Sequence, residues 1–137
     1  MRSIVTLLWI KIVGTAIGAA LPMLATPASL YTQLGFPPMP SMLFLRLYGL
    51  STTALLVGYW GGIEQARRGV FPRGVLRMGL VSNGGQGLAI VAAGVAGAFT
   101  SWGWAAQVMM WSLGAFVLCI AAAIAATLGR SKRSSGE

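Results

Sequence analysis

The sequence predicts an all-α integral membrane protein, a bundle of four transmembrane helices. Of its 137 residues 56% are hydrophobic and only 9% are charged, whereas soluble domains carry about 25% charged residues. Four apolar runs are each long enough to cross the roughly 30 Å hydrocarbon layer, which takes about 20 helical residues. They cover about residues 4–24, 41–62, 78–99 and 103–128. A single domain over residues 1–130 and a polar cytoplasmic tail at 131–137 account for the whole chain.

The first run follows Arg2 and contains Lys11. A cleaved signal peptide is the alternative, because small residues follow the run at 25–29. Lys11 and the lack of a clean small-x-small site favour a retained span. The connection to the second run is predicted to be an irregular loop, because it contains too many proline and glycine residues for a helix to form. These residues are Pro27, Gly35, Pro37, Pro38 and Pro40.

The basic residues predict the orientation. Seven of the ten lie between the second and third runs and after the fourth, and Arg2 precedes the first run, while the Pro-rich loop and the turn at 100–102 contain neither Lys nor Arg. By the positive-inside rule both termini lie in the cytoplasm of a bacterial-type inner membrane. The expected contact is with anionic lipids or an acidic partner, and not with nucleic acid, despite a net charge of +8. These residues are Arg67, Arg68, Arg73, Arg77, Arg130, Lys132 and Arg133.

Each predicted helix has one face of small or polar residues and one aliphatic face. In lipid, small residues mark the faces where helices approach closely. The same faces would serve contacts within one chain, in a homo-oligomer or with another membrane protein. The packing glycines expected there are Gly14, Gly18, Gly79, Gly94, Gly97 and Gly114.

Six polar residues are candidates for the interior: Lys11, Arg46, Glu64, Asn83, Gln86 and Gln107. Asn83 and Gln86 belong to a glycine-rich segment, which indicates either a locally unwound helix lining a ligand site or tight helix packing. Lys11 is expected to pair with Glu64 or to extend to the headgroups. Arg46 is expected to face Gln107 and bind an anionic headgroup, a quinone oxygen or a substrate carboxylate, or to anchor its helix at the interface.

The composition excludes several kinds of chemistry. The chain has no histidine, one cysteine and two acidic residues, so haem, zinc, iron–sulfur and Ser-His-Asp sites all lack parts. We expect no catalytic residue, metal or cofactor. The favoured function is a small non-enzymatic accessory or structural protein that acts through a partner or self-association. The alternatives are a channel or transporter for a small neutral or anionic solute, and a membrane subunit of a quinone-linked redox complex.

The stretch Leu34-Gly35-Phe36-Pro37, followed by Gly49, Gly58 and Gly61-Gly62, resembles small four-helix membrane proteins of the DoxX type. The resemblance covers residues 34–62, and Arg46 and Thr53 depart from the expected pattern. It implies an accessory membrane subunit that in some cases is linked to quinone or sulfur redox partners.

Overall fold

The computed structural model describes residues 1–133, with side chains described to Ser131, so residues 134–137 of the predicted tail at 131–137 lie outside it. The described chain is all-helical and contains no strand, which confirms the all-α part of the prediction. The first helix has three segments: α1 (Arg2–Thr15), a π-helical turn (Ala16–Ala20) and α2 (Leu21–Ala25). The others are α3 (Ala28–Gln33), α4 (Leu43–Arg67), α5 (Arg73–Val95) and α6 (Trp104–Arg133).

Three helices are long and apolar enough to cross a membrane: Arg2–Ala25, Arg73–Val95 and Trp104–Ser131. They match the first, third and fourth predicted spans. At 25 residues α4 also has the length, but Arg46, Glu64 and several hydroxyl groups lower its mean hydropathy, and it is not among the three.

The structure differs from the prediction at both connections of the end opposite to residues 68–72. The Pro-rich connection is not irregular throughout, because α3 forms between Pro27 and the turn at Gly35. The third span ends at Val95 and not at 99, because Gly97 adopts a φ of +83°. A glycine in this left-handed region is a common way for a helix to end.

The π-helical turn has a local cause in Pro22. Proline has no N–H to donate, and its ring crowds the carbonyl four residues earlier, here that of Gly18. The helix widens at this point, so that the Leu21 N–H donates to the carbonyl of Ala16, five residues back. Such π-turns inside helices are frequent at functional sites.

The first helix and α4 pack antiparallel. Leu8 lies against Gly62 near one end of this pair, and Leu24 lies against Gly49 near the other. The helices α5 and α6 form a second antiparallel pair, since Gly79 contacts Ile124 whereas Gly94 contacts Trp111. The two pairs therefore run side by side with their loops at alternate ends.

The two ends of this arrangement differ. One end, here called the arginine end, holds the tightly packed core and the connection at 68–72. The core there consists of Ile4, Leu8, Tyr59, Ile63, Ala66, Leu76, Ile120 and Ile124.

The opposite end, here called the aromatic end, is closed by rings. Phe36 lies 5.4 Å from Trp102, and Phe99 lies 4.8 Å from the same indole, measured between ring centroids. The Gly103 N–H donates to the carbonyl of Gly35 at 2.8 Å, and a Cβ on Gly35 would lie only 2.5 Å from the Gly103 Cα. The two connections of the aromatic end are thus joined backbone to backbone.

Candidate functional site

A polar centre surrounds Tyr59 at the edge of the core. The fully buried Asn83 donates from Nδ2 to the Gly79 carbonyl at 2.6 Å and to the Tyr59 hydroxyl at 3.1 Å. Ser82 Oγ lies 3.4 Å from the same hydroxyl. The helix α5 is continuous through residues 83–87, so the interpretation as a locally unwound helix is wrong, and Asn83 instead connects α5 to α4.

Lys11 is buried beside this centre, with only 5% of its surface exposed. Its Nζ lies 6.0 Å from the centroid of the Tyr59 ring and 5.8 Å from that of Phe116. Glu64 is exposed and accepts a hydrogen bond from Trp60 Nε1 at 3.1 Å. The predicted ion pair between Lys11 and Glu64 is therefore wrong, and burial between two rings also contradicts the extension of Lys11 to the headgroups.

Two buried side-chain oxygen atoms have no hydrogen bond within the described chain: Thr15 Oγ1 and Asn83 Oδ1. Thr15 follows Lys11 by one helical turn and so shares its face. The polar centre and its surroundings therefore contain one buried ammonium group, that of Lys11, and two oxygen atoms without a hydrogen bond in the described chain.

The Arg46 side chain binds two backbone carbonyls at the end of α2. Its Nη1 donates to the Met23 carbonyl and its Nη2 to the Thr26 carbonyl, both at 2.7 Å. Carbonyls at a helix C-terminus have no partner within the helix, and the guanidinium supplies donors and an opposing charge to the end of α2. Gln107 donates to the Trp102 carbonyl at 2.9 Å. The expected facing of Arg46 and Gln107 is therefore wrong, since each stabilises a different backbone segment.

A cavity of about 430 Å³ lies between the two helix pairs, towards the aromatic end. It reaches the surface, where Gly18, Tyr48 and Met109 are exposed. All long helices contribute to it, and no charged side chain lines it. Its walls comprise Gly18, Ala19, Pro22, Met23, Tyr31, Phe36, Met39, Leu45, Tyr48, Gln86, Ala89, Ile90, Trp102, Met109, Met110 and Leu113.

The polar groups of this cavity are few. They are the Gln86 amide, the hydroxyls of Tyr31 and Tyr48, and the Trp102 indole. Within the described residues the Gln86 amide makes no hydrogen bond. Ligand pockets of about 300–1,000 Å³ are typically apolar with a few placed polar groups, and unbranched Met side chains adapt their walls to a ligand.

The predicted packing glycines fall into two groups. Gly14 lies against Phe116, and Gly79, Gly94 and Gly114 also meet side chains of a neighbouring helix. Gly18 lines the cavity, and a Cβ built on it would meet no atom within 4 Å. Gly97 lies just beyond the end of α5, and a Cβ built on it would meet only Thr100, at 3.7 Å.

The predicted basic cluster lies at the arginine end. Arg67 is the last residue of α4 and Arg68 caps it, Arg73 and Arg77 lie in the first turns of α5, and Arg130 lies near the end of α6. The side chains of Lys132 and Arg133 lie outside the described residues. The described residues contain no group of three or more potential metal ligands.

Comparison of the chain with protein-family models, curated proteins and solved structures gives no match.

Sequence reasoning missed the cavity. It identified Gln86 but grouped it with Asn83, whereas the two side chains have different surroundings, one in the cavity and one in the core. Pro22 inside an apolar run was the available signal, because an interior proline predicts a distorted helix.

Proposed function

We propose that the chain is a four-helix bundle of a bacterial-type inner membrane, with both ends in the cytoplasm and α4 as the fourth span. The packing of α4 against the first helix and α5 supports this topology. The Arg46 guanidinium of α4 donates hydrogen bonds to two backbone carbonyls. These bonds lower the free-energy cost of placing this charge near the membrane boundary. The arginines between α4 and α5 orient the bundle.

The proposed function of this bundle is to bind one neutral, lipid-soluble molecule and to present it to a membrane partner, as a non-enzymatic accessory protein. The observation that carries the proposal is the Gln86 amide, which has no partner within the described chain and lies in the wall of an uncharged, mostly apolar cavity. A polar group in apolar surroundings lacks stabilisation until it finds a hydrogen-bond partner.

The lining restricts the ligand. Without a charged side chain in its wall, the cavity offers no compensation for an ionic group, so the ligand is neutral. A primary amide both donates and accepts hydrogen bonds, which suits a carbonyl or hydroxyl group. Quinones meet both conditions, and this favours the quinone-linked redox subunit as the second candidate function.

Binding of a short-chain benzoquinone tests the proposal. The chain would be reconstituted in lipid nanodiscs and titrated, with quenching of tryptophan fluorescence as the signal, since Trp102 lies in the cavity wall. Gly18→Leu adds a bulky side chain at the cavity wall, at a position where a Cβ meets no atom within 4 Å. Gly85→Leu is the matched control, because it makes the same change at an exposed helical glycine outside the cavity, where a Cβ also meets no atom within 4 Å.

We expect saturable binding that Gly18→Leu weakens by about tenfold or more, equivalent to about 1.4 kcal/mol, while Gly85→Leu leaves it unchanged. Gln86→Leu removes one hydrogen bond, worth about 0.5–1.5 kcal/mol. Partitioning of the quinone into lipid would give an unsaturable signal that is equal in all variants, and this result would refute the binding site.

Two further measurements separate the remaining alternatives. Liposomes containing only this protein should not release a small neutral or anionic solute, and robust flux would favour the transporter. A reporter fused after Glu137 should be active in the cytoplasm, and activity outside the cell would reverse the orientation.

A further inference from the structure

A second depression, of about 350 Å³, lies between α5 and α6 at the arginine end. Arg73 and Arg77 form its basic side, and its apolar walls are Leu80, Ala125, Leu128 and Gly129. It is separate from the cavity around Gln86 and shares no residue with it. One side of this groove is therefore cationic and the remainder is hydrocarbon.

The two arginines are one helical turn apart, so their side chains project from the same face of α5. The Arg73 guanidinium lies 5.9 Å from the centroid of the Phe71 ring, and its Nη2 lies 3.4 Å from Ser131 Oγ on α6. These contacts hold Arg73 across the groove. Within the described chain neither arginine has a carboxylate partner, because the one acidic residue there, Glu64, interacts with Trp60.

The groove is polarised along α5. Arg73 is the first residue of this helix, and Leu80 lies about 10 Å further along it, at 1.5 Å per residue. When α5 crosses a membrane, the arginines lie at headgroup depth and Leu80 lies within the hydrocarbon. A phospholipid likewise has its charged phosphate at headgroup depth and its acyl chains in the hydrocarbon. Guanidinium groups pair well with phosphate oxygens.

We propose that this groove binds one anionic phospholipid, with its phosphate between Arg73 and Arg77 and an acyl chain against Leu80, Ala125 and Leu128. The lipid relieves the repulsion between two neighbouring arginines and covers the apolar walls. The site requires α5 and α6 to cross the membrane, but it does not depend on the Gln86 cavity or on its ligand.

Native mass spectrometry of the full chain tests the proposal. The protein would be extracted in mild detergent with equal amounts of phosphatidylglycerol and phosphatidylcholine, and the retained lipid counted. Arg73→Gln with Arg77→Gln removes the basic side of the groove. Arg67→Gln with Arg68→Gln removes the same charge from the same end of the molecule, outside the groove, and is the matched control.

We expect one retained phosphatidylglycerol per chain, with its affinity reduced about tenfold or more by the Arg73 and Arg77 pair and unchanged by the control pair. Equal losses in both pairs would show diffuse attraction to the basic end and overturn the site. Phosphatidylcholine has the same phosphate but no net charge, so its equal retention would overturn the proposal that the groove selects an anionic lipid.

A separate substitution tests the apolar walls of the groove. Ala125→Trp fills the groove while both arginines remain, and Ala125 is exposed, so the helices tolerate the larger ring. We expect this variant to lose phosphatidylglycerol as well. Displacement of the lipid by millimolar inorganic phosphate, or full retention in Ala125→Trp, would show an anion site without an acyl chain and overturn the proposal.

Discussion

Replacing Lys11 by Met should stabilise the protein. A lysine at the centre of a membrane helix costs about 2.5–3.5 kcal/mol on insertion scales, and Lys11 has no carboxylate partner in the described chain. The rings of Tyr59 and Phe116 near its Nζ offset part of this cost, at about 0.5–1 kcal/mol each. Methionine keeps an unbranched chain that fills the same space. The expected net gain is about 1–2 kcal/mol.

The assay is reversible unfolding of the purified chain in mixed micelles with increasing dodecyl sulfate, followed by circular dichroism. Ile10→Met is the control, because Ile10 is 52% exposed on the neighbouring face of the same helix, and its effect should stay within about 0.5 kcal/mol. A loss of more than about 1 kcal/mol in Lys11→Met would refute the reasoning, since the ammonium would then have a favourable partner beyond the two rings.

Three further substitutions test the packing and the polar contacts by the same unfolding measurement. Gly94→Ala should destabilise by about 1–3 kcal/mol, because its Cβ would lie 2.5 Å from a rigid indole ring, whereas Gly85→Ala should stabilise by up to about 1 kcal/mol; equal effects would contradict the contact. Arg46→Lys should destabilise by about 1–2 kcal/mol, because lysine cannot serve both carbonyls at once; faster amide exchange at residues 24–36 should accompany it, and unchanged exchange would argue against the capping role. Tyr59→Phe should destabilise by about 0.6–1.5 kcal/mol through the lost bond from Asn83, and a coupling energy near zero in a double-mutant cycle with Asn83→Leu would show that the bond contributes nothing.

Several features of the molecule were decided locally and could be predicted from the sequence. Helix length and mean hydropathy depend only on neighbouring residues, so the all-helical class and three of the spans followed from the apolar runs. The predicted helix ends were less accurate. Gly97 ends α5 by adopting a positive φ, which the pattern of apolar residues does not indicate.

The partners of the polar residues depended on the tertiary structure. Helical periodicity placed Arg46 on a stripe, but the carbonyls that it binds belong to a different helix and became available only because α2 ends at Ala25. The sequence predicted that Lys11 pairs with Glu64 or extends to the headgroups, yet Glu64 is exposed and bonded to Trp60, and the ammonium lies between two rings.

The amino-acid sequence by itself determined that this chain forms apolar helices with a few polar groups among them, because both properties are local. Only the tertiary structure separated Asn83 from Gln86, three residues apart on one helix. Tight packing at the arginine end buries Asn83 against Tyr59, while the widened turn at Ala16–Ala20 and the joined loops at the aromatic end surround a cavity at Gln86. The position of a cavity depends on how helices distant in sequence approach one another, and hydrophobic periodicity within a single helix carries no information about that distance.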